Sequence, residues 1–66
     1  MLAKRLAMKL KELRTRQGLN QTNLAKKVRV TQAYIAMLEK GRENPTLDVL
    51  DRLAKALKVT VAELVQ

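Results

Sequence analysis

The chain has 66 residues, of which 14 are Lys or Arg and 6 are Asp or Glu, so that its net charge is +8. It contains no Cys, no His and no Ser. These absences exclude disulfide bonds, thiolate nucleophiles, zinc fingers and imidazole acid–base chemistry, and they argue strongly against an enzyme. Twelve Leu and eight Ala favour folding over disorder. We expect a single small domain over residues 1–66, without metal or cofactor.

The positive charge is confined to the N-terminal half of the sequence. Residues 1–33 hold nine basic residues and one acidic residue, whereas residues 34–66 hold five of each. This asymmetry indicates a surface that faces a polyanion, and nucleic acid and an anionic membrane both fit that description. The other explanation is a basic surface that only keeps the protein soluble.

No apolar run approaches the roughly 20 residues of a transmembrane helix. Residues 1–10 are basic and amphipathic, but they lack the uninterrupted apolar core of a secretory signal. Together with the absence of Cys, this predicts a reducing, cytoplasmic location.

Hydrophobic spacing predicts five helices, because apolar residues recur at intervals of three and four and show no sustained alternation. The first helix is predicted from Leu2 to Arg16, with Gly18 just beyond its C-terminus. Good N-capping residues precede the other four helices: Asn20, Thr31, Thr46 and Thr60. Thr60 and Glu63 have the spacing of a capping box. The predicted fold class is therefore all-α, a compact five-helix bundle.

Residues 21–40 have the pattern of two short helices joined by a tight turn. Helices that cross at roughly 90–120° need a small residue where their backbones approach, and Ala25 supplies it. Apolar residues on the same two helices anchor the pair to the rest of the bundle: Leu24, Val28, Ile35 and Leu38. The third helix keeps its other face free, and that face carries amide, methyl and thioether groups and only one charge, that of Lys40.

These segments resemble the Cro/cI-type helix-turn-helix family, which includes the lambdoid phage repressors and the xenobiotic-response-element-like bacterial regulators. The resemblance covers residues 6–64 and rests on Leu13-Arg14 and four longer segments: 18–28, 31–41, 44–47 and 53–59. It implies a lambda-repressor-like fold whose second and third helices form the helix-turn-helix. It further implies sequence-specific binding of double-stranded DNA, a role as a transcriptional repressor or regulator, and a homodimer on a pseudo-palindromic operator. No small-molecule ligand is expected.

The resemblance, together with side-chain chemistry, predicts which residues contact DNA. An amide such as that of Gln32 can bond adenine N6 and N7, and methyl groups can contact thymine. The predicted base-reading residues are Gln32, Ala33, Ala36 and Met37. The predicted phosphate-binding residues are Asn20, Gln21, Lys40, Arg42 and Asn44. The alternative is a solvated side chain for Gln32 and for the loop residues after the third helix. It is a small filler for Ala33, cover of the core edge for Met37 and a helix cap alone for Asn20.

Four other residues receive structural interpretations. In the resembling repressors the residues that match Arg14 and Glu39 form a mostly buried ion pair, so we interpret both as structural. Arg29 occupies a turn position where the family usually has glycine in a left-handed conformation. Arginine there is expected to cost on the order of 1 kcal/mol. Tyr34, the only aromatic residue, is expected to pack partly against the adjoining helix.

Two other functions remain open at this stage, and so does the dimer surface. The chain could be the DNA-binding antitoxin of a toxin–antitoxin pair, or another protein-interaction module. Residues 1–16 could alternatively form a membrane-active basic helix, although such a helix needs no five-helix scaffold. Candidates for the dimer surface are Val61, Leu64, Val65 and the end of the fourth helix, all of which could equally belong to the core.

Overall fold

The chain folds into five α-helices, and a computed structural model describes the backbone of residues 2–66 and the side chains of residues 3–66. Met1, with which the predicted domain begins, lies outside the described residues. The helices are α1 (Leu2–Arg16), α2 (Gln21–Val28), α3 (Gln32–Glu39), α4 (Leu47–Leu57) and α5 (Val61–Val65). Residues 2–66 contain no strand, so the predicted all-α, five-helix class is confirmed.

Each of the last four helices begins at the N-capping residue that the sequence predicts. The side-chain oxygen of Asn20 accepts a hydrogen bond from the backbone N–H three residues later, at 2.7 Å. Thr31, Thr46 and Thr60 make the equivalent bond at 3.1–3.2 Å. The Glu63 carboxylate accepts a bond from the Thr60 N–H at 3.1 Å and completes the capping box. Each cap satisfies a backbone N–H that the helix itself leaves unpaired.

Left-handed residues end several of these helices. Gly18, just beyond α1, has a φ of 72°, as its predicted position requires. Arg29 ends α2 with a φ of 65°, which confirms that the arginine occupies the left-handed turn position. Lys58 ends α4 with a φ of 59°, and the sequence analysis did not anticipate this. Both residues therefore have a backbone conformation that is unfavourable for residues other than glycine.

The core lies where all five helices meet. α1 packs against α3 and α5, α2 packs against α3 and α4, and α4 packs against α5. The largest fully buried side chains come from every helix: Leu6, Leu10, Leu24, Val28, Ile35, Leu38, Leu53, Leu57 and Leu64. The four residues predicted to anchor the second and third helices to the bundle are all buried: Leu24, Val28, Ile35 and Leu38. This packing fixes α2 and α3 relative to each other and to α1.

The structure corrects part of the predicted dimer surface. Leu64 has no exposed area, because it is buried in the core that α5 shares with α1 and α4. Leu57, at the end of α4, is equally buried. Only Val61 and Val65 of the named apolar residues keep part of their surface exposed. A second chain could therefore reach these two valines but not Leu64.

The apolar face of α1 is also committed to the core. Leu6 and Leu10 have no exposed area and Leu13 is 7% exposed. A membrane-active helix would need these same leucines to enter the lipid, so the folded chain does not present such a surface. None of the helices in the described part of the chain combines the length and apolarity needed to cross a bilayer.

Candidate nucleic-acid interface

The helix α3 has one face in the core and one face toward solvent. Ile35 and Leu38 are buried, whereas Gln32 and Ala33 are exposed and Ala36 and Met37 are partly exposed. The four predicted base-reading residues therefore lie on the accessible side of one helix: Gln32, Ala33, Ala36 and Met37. This outer face of α3 carries no charged side chain, because its groups are an amide, two methyl groups and a thioether.

A hydrogen bond joins the N-terminal ends of α2 and α3. The Gln32 amide nitrogen donates to the Gln21 amide oxygen at 2.6 Å. The Asn20 and Thr31 caps place the first residues of the two helices, so both glutamines extend from the start of a helix. The structure thus brings one predicted base-reading residue into contact with one predicted phosphate-binding residue.

Behind this pair of glutamines lies an ion pair between α1 and α3. Arg14 donates from Nε to Glu39 Oε2 at 2.5 Å and from Nη2 to Glu39 Oε1 at 3.0 Å, and the two side chains are 11% and 5% exposed. The bond to Glu39 is the main reason why the pKa of Arg14 is raised. A third guanidinium bond reaches the Leu19 carbonyl at 2.8 Å. The contact therefore ties α1 and the loop before α2 to the end of α3.

The sequence analysis missed the contact that joins this ion pair to the glutamines. The Gln21 amide nitrogen donates to Glu39 Oε1 at 3.2 Å. Arg14, Glu39, Gln21 and Gln32 consequently form one continuous chain of hydrogen bonds, which we call the relay. Spacing along the sequence offers no signal for the Gln21–Glu39 step, because it depends on how α2 and α3 cross.

The other predicted phosphate-binding residues are exposed but lie outside the relay. Asn20 uses its side-chain oxygen to cap α2. Lys40, Arg42 and Asn44 lie at and after the C-terminal end of α3, where left-handed Gly41 begins the loop. Within the described residues no hydrogen bond joins these three side chains to Asn20 or Gln21. Their cationic and amide groups are free to meet an anion there.

Two further side chains hold the helix ends behind the interface. Arg52 of α4 donates to the Val28 carbonyl at the C-terminus of α2, at 2.9 Å, and pairs with Asp48 at 3.1 Å. Gln17 donates to the Leu57 carbonyl at 2.7 Å and joins the ends of α1 and α4. The sequence analysis assigned neither role. Both contacts satisfy helix-end carbonyls that have no partner within their own helix.

Tyr34 is partly buried and packs against the hydrophobic core. Its burial raises the pKa of the phenol, and the nearby negative charge of Glu43 raises it further, while Arg52 acts in the opposite direction. The ring is therefore partly buried and is not a free platform for stacking on bases.

Comparison with known proteins shows to which family the chain belongs. The helix-turn-helix family profile HTH_3 matches residues 10–64. The chain belongs to this helix-turn-helix family. It is 36% identical over 62 residues to the HTH-type transcriptional regulator DdrOP3 of Deinococcus deserti, covering 94% of this chain and 48% of that protein. It is 33% identical over 60 residues to the immunity repressor protein of Bacillus phage phi105, covering 91% of this chain and 42% of that protein.

The solved structures include a similar protein of comparable length. The restriction-modification controller protein C.AhdI from Aeromonas hydrophila superposes with a TM-score of 0.90 at 34% identity, covering 94% of both chains. By contrast, this chain spans just under half the length of the two curated relatives described above. The resemblance to the Cro/cI-type family is therefore confirmed over nearly the whole chain, which corresponds to only part of those longer relatives.

Proposed function

We propose that this chain is a sequence-specific, double-stranded-DNA-binding transcriptional regulator that acts as a repressor. The observation that carries the proposal is the accessible face of α3. This face presents amide and methyl groups that can contact base edges, at the position where the family has its recognition helix. In this arrangement α3 lies in the major groove and α2 crosses the backbone above it. The relatives named as a transcriptional regulator and an immunity repressor support the same function.

The residues divide into those that read bases and those that hold phosphates. Gln32, Ala33, Ala36 and Met37 face the base edges, where an amide matches adenine and methyl groups match thymine. The phosphate contacts come from both ends of the α2–α3 unit: Asn20 and Gln21 at one end, and Lys40, Arg42 and Asn44 at the other. If about four to six phosphates are neutralised, log affinity falls with log salt at a slope of roughly −4 to −5.

A homodimer on a pseudo-palindromic operator completes the proposal. One α3 reads only a few base pairs, so two copies with half-sites about 34 Å apart are needed for a selective site. The partly exposed Val61 and Val65 are the apolar groups through which α5 can meet its copy. The residues 1–66 then act as one DNA-binding domain in the cytoplasm, associated with the nucleoid, without enzymatic activity, cofactor or small-molecule ligand.

Selection of bound DNA from a random duplex pool tests this function. We expect an enriched pseudo-palindrome whose two halves are one helical turn apart, bound by two chains per duplex in sedimentation experiments. A pool that remains random after several rounds would contradict sequence-specific reading. An enriched single half-site bound by one chain would contradict the dimer but leave the reading role of α3 intact.

A further inference from the structure

A cleft lies between the N-terminal part of α1 and the C-terminal end of α3. Its volume is about 430 Å³, and it is lined by Ala3, Lys4, Lys40 and Gly41. Both lysines are exposed. Lys40 belongs to the phosphate-binding residues proposed above, whereas Lys4 has no role in that proposal. The cleft therefore brings a cation of α1 to the edge of the candidate nucleic-acid interface.

Gly41 allows the two walls of this cleft to approach each other. Its φ of 72° ends α3, and its N–H bonds to the Leu38 carbonyl at 3.1 Å. A Cβ atom on Gly41 would lie 3.7 Å from the Ala3 carbonyl oxygen and 3.8 Å from the Lys4 Cα. The backbone of the turn is thus in direct contact with α1, and this packing places Lys4 beside Lys40.

The positive charges of the cleft are not neutralised by the protein. None of the salt bridges among residues 3–66 uses Lys4 or Lys40, because the cations that pair are Arg14, Arg16, Arg52 and Lys55. The acidic Glu43 does not line the cleft, and its charge instead acts on Tyr34. Two cations in one cleft repel each other, and an anion between them removes that repulsion. The cleft therefore attracts an anion.

The position of the cleft indicates which anion it meets. Lys40 lies at the C-terminal end of α3 and is followed by Arg42 and Asn44, which are exposed on the same side of the cleft in sequence order. With α3 in the major groove, the sugar–phosphate backbone that borders the groove passes the end of this helix. A phosphate of that backbone is the anion that is available next to the cleft in the complex.

We propose that the cleft binds one backbone phosphate of the duplex, and that Lys4 is a further phosphate-binding residue beside Lys40. The inference rests on the proposed DNA-binding function and extends the interface from the α2–α3 unit to α1. Lys4 contributes to affinity and not to base selection, because a phosphate carries no direct sequence information. Part of the basic charge of α1 thus makes a direct contact with DNA.

The variant Lys4→Gln tests this contact. Glutamine keeps a long side chain and a similar helix propensity but removes the charge. We expect the dependence of log affinity on log salt to become less steep by about 1 per bound chain, on a selected and on a scrambled duplex alike. Fluorescence anisotropy at several salt concentrations measures the slope, and circular dichroism verifies that the variant is folded.

The matched control is Lys9→Gln, which makes the same change of charge on the same helix. Lys9 lines a different cleft, beside Arg5 and Gln66. It is expected to keep the wild-type salt slope. Ethylation of single DNA phosphates locates the contact, because an ethylated phosphate loses its charge. Wild-type binding is expected to be sensitive to one phosphate per half-site to which Lys4→Gln is insensitive, whereas Lys9→Gln keeps the wild-type pattern.

Inorganic phosphate distinguishes a DNA phosphate from a free anion. Amide NMR signals of Lys4 and Gly41 are expected to shift when the duplex is added and to show no saturation with millimolar inorganic phosphate. Saturation by inorganic phosphate, together with a wild-type salt slope in Lys4→Gln, would identify a site for a free anion and overturn the assignment to DNA.

The remaining outcomes separate this inference from the proposed function. Equal salt slopes in wild-type and Lys4→Gln, or equal reductions in Lys4→Gln and Lys9→Gln, overturn the phosphate site and leave sequence-specific reading by α3 standing. A wild-type chain that binds both duplexes equally contradicts base reading alone, and a reduced slope confined to Lys4→Gln then still supports the phosphate site. A wild-type chain that binds no duplex overturns both.

Discussion

Two turns of this protein have nearly the same sequence and the same backbone, yet they lead into helices with different surroundings. Residues 24–31 read LAKKVRVT and residues 53–60 read LAKALKVT, identical at five of eight positions. In both, a left-handed basic residue follows the helix: Arg29 at φ 65° and Lys58 at φ 59°. In both, the next valine N–H bonds to a carbonyl five residues earlier at 3.0 Å, and a threonine caps the following helix.

The difference begins after the threonine. The first turn leads into α3, whose eight residues expose Gln32 and Ala33. The second turn leads into α5, whose five residues include a capping-box Glu63 and the fully buried Leu64. The turn sequence therefore determines where a helix starts. The residues that follow it determine whether the helix offers a surface to a partner or closes the core.

The largest expected effect concerns the ion pair that anchors α3 and has no counterpart in α5. Glu39→Ala leaves the Arg14 guanidinium buried and unpaired, so the free energy of unfolding is expected to fall by about 3–5 kcal/mol. Urea denaturation monitored by circular dichroism measures it. The matched control is Glu12→Ala, which breaks the exposed pair with Arg16 and is expected to cost at most about 1 kcal/mol. Equal losses in the two variants would show that α3 needs no buried anchor.

The two threonine caps give the next effect. Thr31→Ala and Thr60→Ala each remove a side-chain acceptor for a helix-start N–H at 3.1 Å, and each is expected to cost about 1 kcal/mol. Thermal melting of both variants measures the losses. Since Thr60 also belongs to a capping box, its loss should be at least as large as that of Thr31. A clearly larger loss at Thr31 would contradict the equivalence of the two turns.

Replacing either left-handed basic residue by glycine is expected to stabilise the protein. Arg29→Gly and Lys58→Gly relieve a backbone cost of about 1–2 kcal/mol and introduce an entropic cost of about 0.5–1 kcal/mol. Each variant is therefore expected to be more stable by about 0.5–1 kcal/mol, seen as a higher melting temperature. Arg29→Lys and Lys58→Arg serve as controls, because they keep the strained backbone and should not change the melting temperature. A lower melting temperature for both glycine variants would contradict the strain.

The smallest effect concerns Tyr34, which occupies in α3 the position of Glu63 in α5. Its pKa is raised by burial and by Glu43, so folding favours the neutral phenol. The stabilising contribution is present below the ordinary tyrosine pKa of about 10 and is lost as the pH rises through the higher pKa of the folded state. Because Tyr34 is the only tyrosine, its ultraviolet absorbance in native and denaturing buffer reports the two midpoints. A native midpoint at or below the denatured one would contradict the shift.

The parts of this structure that depend on local sequence were predictable. Asn20 and Thr31 are good caps because a short side chain can reach the N–H three residues later, and this needs no knowledge of the fold. The left-handed conformation of Lys58 could also have been predicted, because the sequence around it matches the sequence around Arg29. The Gln21–Glu39 contact and the burial of Leu64 were not, because both depend on how separate helices pack. The relay therefore emerged only from the three-dimensional arrangement.

In the proposed function, basic residues attract the protein to DNA, whereas the outer face of α3 selects the bases. The net positive charge lies in residues 1–33, whereas the outer face of α3 is uncharged. The most direct test compares wild-type, Gln32→Ala and the exposed control Gln66→Ala on a selected duplex and on a scrambled duplex, each at several salt concentrations. We predict that Gln32→Ala alone weakens binding to the selected duplex, by about tenfold, with scrambled-duplex affinity and both salt slopes unchanged. An equal loss on both duplexes, or none on either, would contradict the claim.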